Sequence, residues 1–298
     1  MKAALQGMFE TFSLPEKNHQ VAVWMPCFNA EKWVSQAVES VLTQEGVDAV
    51  IILFDDCSTD STASILRNLS EQYSNKIYIS RPLVNTFKSG KKSLRMALLE
   101  MVQADFIAVL EADDFWNSSE KLRTSIEAIH KSGASACGHT VHVLGDNVRA
   151  AKYRGVIEAV SAQNSKIKFF RSQVFSPWRV ATCSLVIRTE AFPFFLQNQI
   201  AKTLVGDLVI KLGILKSGPI EFIESPLATY RIHIESSWSS RSLVKRSIST
   251  GKTLLSLRKQ LGVKRVAATI WYGAAWAMLS VYVSILFHFK ARSKLYFE

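Results

Sequence analysis

The stretch VLEADDFW, residues 109–116, sets carboxylates directly behind an apolar run. Phe106 to Leu110 contains no polar residue, which is how a strand buried on both faces reads. Glu111, Asp113 and Asp114 follow at once, and carboxylates so close repel one another unless a cation lies between them. A divalent ion, Mg2+ or Mn2+, meets that demand, because such ions take oxygen ligands and combine one or two carboxylates with substrate phosphates. An acidic turn opening the next helix is the competing reading of the same spacing.

More acids stand at comparable places. Asp55 and Asp56 end the apolar run Ala49–Phe54, and Asp207 precedes Leu208, Val209 and Ile210. Asp207 reads either as a reactive carboxylate or as a helix cap, and Asp60 as a cap. His139 and His142 sit at an odd offset in a strand-like segment, which predicts opposite faces and structural roles.

The elements that must position these groups alternate. Val21–Met25 reads as a strand closed by Pro26, which has no N–H for a sheet ladder. Val34, Ala37, Val38, Val41 and Leu42 repeat at helical spacing up to Gly46. After Ala49–Phe54, a helix with Ile65, Leu66 and Leu69 is capped by Ser58 or Asp60; Ile77 and Ile79 mark another strand, and Leu94, Leu98, Met101 and Val102 another helix. Asn117 and Glu120 have capping-box spacing for a helix through Ile129, and Ala134–Leu144 reads as a strand. The basic stretch 149–178 lacks periodicity and reads as a loop. Beyond it come a strand at Cys183–Ile187, a helix at Leu208–Leu215 and short strands at 221–223 and 229–232. This rhythm predicts an α/β fold with a mostly parallel sheet flanked by helices, and ligands bind such sheets at the carboxyl ends of the strands.

Composition narrows the function. The chain has 298 residues, 48% hydrophobic and 20% charged, so it has the means to build a globular core. A formal charge of +11 favours anionic partners, but nothing resembles a nucleic-acid recognition motif. Cys27, Cys57, Cys137 and Cys183 are too dispersed for a zinc knuckle or a compact disulfide framework and fit reduced thiols. The N-terminus lacks a signal-peptide pattern, which predicts a cytoplasmic catalytic region. Neither G-x-G-x-x-G after the first strand nor G-x-x-x-x-G-K-[ST] occurs, so side chains must hold any nucleotide.

Over residues 20–240 the chain resembles a family 2 glycosyltransferase of the GT-A fold. VAVWMPCFN (21–29), IILFDDCSTDST (51–62), VLEADDFW (109–116) and GDLVIKLGILKSGPIEFIESPLATYRIH (206–233) carry the likeness, in family order. The resemblance implies an inverting transfer of sugar from a nucleotide-diphosphate sugar to an acceptor hydroxyl, assisted by Mn2+ or Mg2+. It implies that Pro26, Phe28 and Asn29 border the nucleobase, that Asp56 accepts from a base N–H with Asp55 beside it, and that Asp113 faces the ribose or the metal. Asp114 would ligate the metal, with Glu111 and His233 as further ligand candidates, and Asp207 would be the catalytic base. Glu111 departs from the usual first Asp of this stretch, and Met96 follows Arg95 where the family often has Arg-Asn. Lys88, Lys91 and Lys92 would bring charge to the diphosphate instead. The acceptor would be a saccharide or lipid-linked saccharide, and a non-catalytic nucleotide-sugar-binding or scaffolding member of the same fold is the alternative.

Residues 266–289 contain no Asp, Glu, Lys or Arg and are numerous enough to span a bilayer as a helix, with Trp271, Tyr272 and Trp276 near one end. Basic residues flank both sides, so a spanning helix and an in-plane helix are both open. The expected organisation is a leader (1–19), a nucleotide-sugar-binding half (20–116), an acceptor-binding half (117–240) and a helical region (241–298) that holds the protein at the cytoplasmic face of the plasma membrane.

Overall fold

The computed structural model describes residues 5–145, 180–196, 206–233, 248–253 and 255–257. Strands β1 (Phe9–Phe12), β2 (His19–Cys27), β3 (Ala49–Asp55), β4 (Ile77–Pro82), β5 (Ala104–Val109), β6 (Phe115–Trp116), β7 (Ala136–Leu144), β8 (Val186–Arg188) and β9 (Ile220–Arg231) form one sheet. It is nine-stranded, in the order β1-β4-β3-β2-β5-β8-β7-β9-β6. Helices α1 (Val34–Leu42), α2 (Thr62–Gln72), α3 (Ser93–Leu99), α4 (Lys121–Ser132) and α5 (Gly206–Ser217) accompany it.

Strands β2 to β5 pair in parallel. β8 then runs antiparallel to both β5 and β7, while β9 runs parallel to β7 and antiparallel to β6. The sheet expected to be mostly parallel is therefore a parallel half extended by a mixed one. β8 is entered from a 3-10 turn, Thr182–Ser184, rather than from a crossover helix of the kind a parallel pairing needs.

The apolar runs of the parallel half are continuous because both faces are covered. Val21, Val23, Met25, Ile51, Leu53, Phe106 and Ala108 join one cluster with Val34 and Val38 of α1, Leu66 of α2 and Leu122 and Ile126 of α4. Their alternate neighbours Ala22, Trp24, Val50, Ile52, Phe54, Ile107 and Val109 join the other with Leu98 of α3 and Leu208 and Leu212 of α5. The period-two alternation of a strand splits each run between the two layers.

Several expectations need correction. Residues read as a leader supply β1, which pairs antiparallel with β4 and packs Phe9 into the core. The capping box at Asn117 and Glu120 is not made: Asn117 donates to Pro226 O, and Gln44 at the end of α1 accepts from Leu122 N at 2.9 Å, serving the α4 N-terminus from outside. The short strands expected at 221–223 and 229–232 are one strand, β9, whose pairing with β7 slips between His139 and Val141 to accommodate exposed Glu224 and Ser225. His139 is buried and His142 exposed, as their offset predicts. Residues 149–178, and the apolar segment 266–289 read as a C-terminal hydrophobic helix, lie outside the described residues. Among the described residues no helix is long and apolar enough to cross a membrane.

Candidate active site

Parallel pairing in register brings the carboxyl ends of β2 and β3 together, with Cys27 opposite Asp55. Beyond them the chain turns through left-handed backbone at Asn29 (φ 50°) and Cys57 (φ 61°). Asn tolerates that region well, whereas at Cys57 it costs about 1 kcal/mol. The two turns clasp each other. Asn29 N donates to Ser58 Oγ at 2.9 Å, and Asn29 Oδ1 accepts from Thr59 N at 2.9 Å. Asp60 Oδ1 accepts from Thr62 N at 3.0 Å just ahead of α2, whose N-cap position is held by Ser61 without a side-chain cap bond, while Ser58 is used in the clasp. Asn29 thus shapes the rim rather than projecting from it, whereas Phe28 is 46% exposed and presents its ring to solvent.

Asp55 and Asp56 are both buried and both neutralised by arginine. Asp55 accepts from Ser58 N and Oγ on one oxygen and from the Arg81 guanidinium on the other. Asp56 accepts from Thr86 N at 2.6 Å on Oδ1, and on Oδ2 from Phe87 N at 3.2 Å and Arg95 Nη2 at 2.5 Å. At 2% exposure, Asp56 is occupied as the anchor of the loop after β4. Arg95 also donates to Thr86 Oγ1 at 2.9 Å and lies over the Phe54 ring. Lys88 is exposed on this loop, and Lys92 Nζ lies 4.0 Å from the Phe87 ring centroid. Loop polarity is inverted: Thr86 is buried while Leu83, Val84 and Phe87 are exposed.

The acidic cluster follows β5. Asp114 Oδ1 accepts from Arg231 N at 2.7 Å, but Oδ2 is buried and has no partner of hydrogen-bonding geometry among the described residues. Glu111 Oε2 is in the same condition. Burial, then the charges of Asp113 and Asp207, push the Glu111 carboxyl up to about 8. Burial, then Asp113 and Glu111, raise Asp114 well above the usual carboxylate range, against the pull of the Arg231 N–H and the neighbouring Cys183 thiol. Pro26 borders the cluster from β2, where its carbonyl accepts from Ala112 N at 3.4 Å.

Asp113 turns the other way and pairs with His233 Nε2 at 2.9 Å. The His233 ring packs against Trp33, with centroids 4.1 Å apart. Arg231 bonds to Asp113 O and to Gln36 Oε1, and lies over Phe115 and Trp33. His233 is therefore held by Asp113 rather than by the Glu111–Asp114 pair. Among the described residues no group of three or more His, Cys, Asp or Glu is arranged to hold a metal ion. Asp207, in the first turn of α5, pairs with Lys211 Nζ at 3.1 Å. Its charge acts on Glu111, which places Asp207 near the acidic cluster.

The family model described as glycosyl transferase family 2 matches residues 22–191, more than half of the chain. The chain belongs to glycosyl transferase family 2. It is 26% identical over 220 residues to an uncharacterised glycosyltransferase of Nostoc sp., alr2836, covering 72% of this chain and 65% of that protein. It is 27% identical over 136 residues to WfgD of Escherichia coli, named a UDP-Glc:alpha-D-GlcNAc-diphosphoundecaprenol beta-1,3-glucosyltransferase. That match covers 46% of this chain and 51% of WfgD, so the family 2 chain spans between about half and two thirds of these relatives. Its fold is shared with the mannosyltransferase PcManGT of Pyrobaculum calidifontis, solved with GDP-Man and Mn2+, at a TM-score of 0.61 and 13% identity over 96% of this chain and 79% of that one.

Several residues that shape the site escaped the sequence reading. Arg81, Thr86, Trp33 and Gln36 act through partners distant in the chain, which spacing does not reveal. Lys211 was legible, since it stands four residues after Asp207 at helical pairing distance. Arg231 lies within the family-like TYRIH segment and passed as part of a strand.

Proposed function

We propose that the protein transfers a sugar from a nucleotide-diphosphate sugar to an acceptor hydroxyl, with inversion, in building a surface polysaccharide or glycolipid. The observation that carries this reading is the pair of buried oxygens without partners, Glu111 Oε2 and Asp114 Oδ2, after a parallel strand. Their mutual repulsion and hard oxygen chemistry fit Mn2+ or Mg2+, which needs only one or two carboxylates when phosphates supply the remaining ligands. When bound, such an ion neutralises charge building on the departing diphosphate. The Mn2+ and GDP-Man bound to PcManGT support both metal and donor class. The UDP-Glc and diphosphoundecaprenol in the name of WfgD support a nucleotide donor and a lipid-linked saccharide acceptor.

In this reading Pro26 and exposed Phe28 border the base, and Asn29, Asp55 and Asp56 shape the rim. Asp56, with Arg95, orders the loop that presents Lys88 and Lys92 to the diphosphate. Asp113, paired with His233, borders the ribose side. Asp207 takes the proton from the acceptor hydroxyl as the new bond forms. A single attack from the face opposite the leaving group inverts the anomeric centre. The apolar segment 266–289 with its basic flanks supports work at the cytoplasmic face of the plasma membrane.

Glu111 in place of the family's usual Asp favours one rival, a non-catalytic nucleotide-sugar-binding protein. Incubation of UDP-Glc, UDP-GlcNAc or GDP-Man with a saccharide or lipid-linked saccharide acceptor, with and without Mn2+, separates the two readings. We expect Mn2+-dependent loss of one donor, and NMR of a glycoside product with inverted configuration. Binding without turnover on the whole panel supports the rival, and a retained configuration refutes the single displacement.

A further inference from the structure

Helix α5 is buried around its whole circumference from Leu208 to Leu215, and in its middle stands a lysine. Lys211 is 4% exposed, and its Nζ meets the Asp207 carboxylate one turn earlier. The Asp207 side chain is 37% exposed, so water screens the attraction that must offset the cost of burying the ammonium. A leucine or methionine would join Leu208, Val209 and Leu212 in the apolar layer without that cost. Fold stability therefore gives no reason for this residue.

The neighbourhood supplies one. Lys211 and Asp207 both lie close enough to the Glu111 carboxyl for their charges to act on it in opposite senses. With its side chain more than a third exposed, the Asp207 carboxylate has water on one side and is free to sample other rotamers unless a fixed partner holds it. The Lys211 ammonium, fixed in the core one turn along the helix, is that partner. We propose that Lys211 is a positioning residue for Asp207, tethering its carboxylate in one orientation at the site edge. The proposal rests on the reading of Asp207 as the base. A misplaced general base lowers the rate of the chemical step far more than it affects donor binding.

The test is a double-mutant cycle on donor hydrolysis, in which water takes the place of the acceptor. The full chain is assayed with Mn2+ and UDP-Glc, UDP-GlcNAc or GDP-Man. Lys211→Met is expected to lower kcat by about ten- to a hundredfold with donor KM nearly unchanged, and Lys211→Arg to restore part of the loss. In an Asp207→Asn background the same Lys211→Met change is expected to have no further effect, because the group it positions is gone. Thermal unfolding of Lys211→Met at or above the wild-type midpoint excludes a folding defect. If Asp207→Asn is impaired while Lys211→Met is normal, or if the two losses multiply, the positioning role is overturned and the base assignment stands. Normal turnover by Asp207→Asn overturns the base assignment and the positioning role with it.

Discussion

Replacing Lys121 with methionine is expected to stabilise the protein, an unusual outcome for a fully buried position. Lys121 opens α4, is wholly buried, and its Nζ has no hydrogen-bond partner among the described residues; it lies 4.1 Å from the Trp116 ring centroid. Burial pushes the ammonium down from 10.5 to about 7, against the smaller opposing influence of Cys137 and Cys183. Because the folded value lies below the unfolded one, the unfolded chain binds more protons between about pH 7 and 10.5. Stability therefore rises with pH across that window, and the penalty is complete below it. At roughly 1.4 kcal/mol per pH unit, the penalty at pH 7 is about 4 kcal/mol. Lys121→Met removes it and forfeits about 1 kcal/mol of contact with Trp116, leaving a gain of about 3 kcal/mol and a Tm rise of about 6 °C. Urea unfolding at pH 6, 7, 8 and 9 measures both gain and slope: the wild type should gain stability with pH, and the variant should exceed it most at pH 6. A variant less stable than wild type at pH 6, or an unchanged pH slope, refutes the reasoning.

Other outcomes follow from the same geometry. Asp114→Ala should abolish the Mn2+-dependent gain in UDP or GDP affinity while leaving the fold intact; calorimetry showing the full gain would remove Asp114 from the metal site. Arg95→Met leaves buried Asp56 with only the Thr86 and Phe87 N–H groups, and should cost about 3 kcal/mol in urea unfolding. A cost below about 1 kcal/mol would mean that the ion pair is dispensable. Truncation before residue 264 should release the protein from membranes, since the bilayer-length apolar segment is lost; sedimentation with membranes after a high-salt wash would locate the anchor elsewhere.

The parallel half of the fold was legible in the sequence because burial on both faces leaves a signature that needs no partner to read. Val21–Met25, Ala49–Phe54 and Phe106–Leu110 are uniformly apolar, and each stops where carboxylates or Pro26 begin. β1 was missed because FETF carries only Phe9 and Phe12 as apolar residues, and edge pairing with β4 supplies the rest. The unity of β9 was hidden by Ser225 and Pro226, which punctuate a strand locally although β9 goes on pairing with β7 beyond them in a shifted register. The acids at the strand ends were all identifiable, but their occupation was not. That Asp55 and Asp56 are taken up by Arg81, Arg95 and the loop after β4, and His233 by Asp113, depends on contacts between segments dozens of residues apart. Glu111 Oε2 and Asp114 Oδ2, by contrast, are buried without a partner of hydrogen-bonding geometry among the described residues, although the Cys183 thiol lies beside Asp114.

The central claim, transfer of sugar with Asp207 as the base, is tested most directly by Asp207→Asn in an assay of both donor binding and transfer. Asparagine keeps the size of the side chain and an amide oxygen that can still accept from Lys211 Nζ, but cannot accept the acceptor's proton. The account predicts transfer lowered by about two to four orders of magnitude with nucleotide-sugar affinity nearly unchanged. A folded Asp207→Asn protein that transfers sugar at close to the wild-type rate would contradict it.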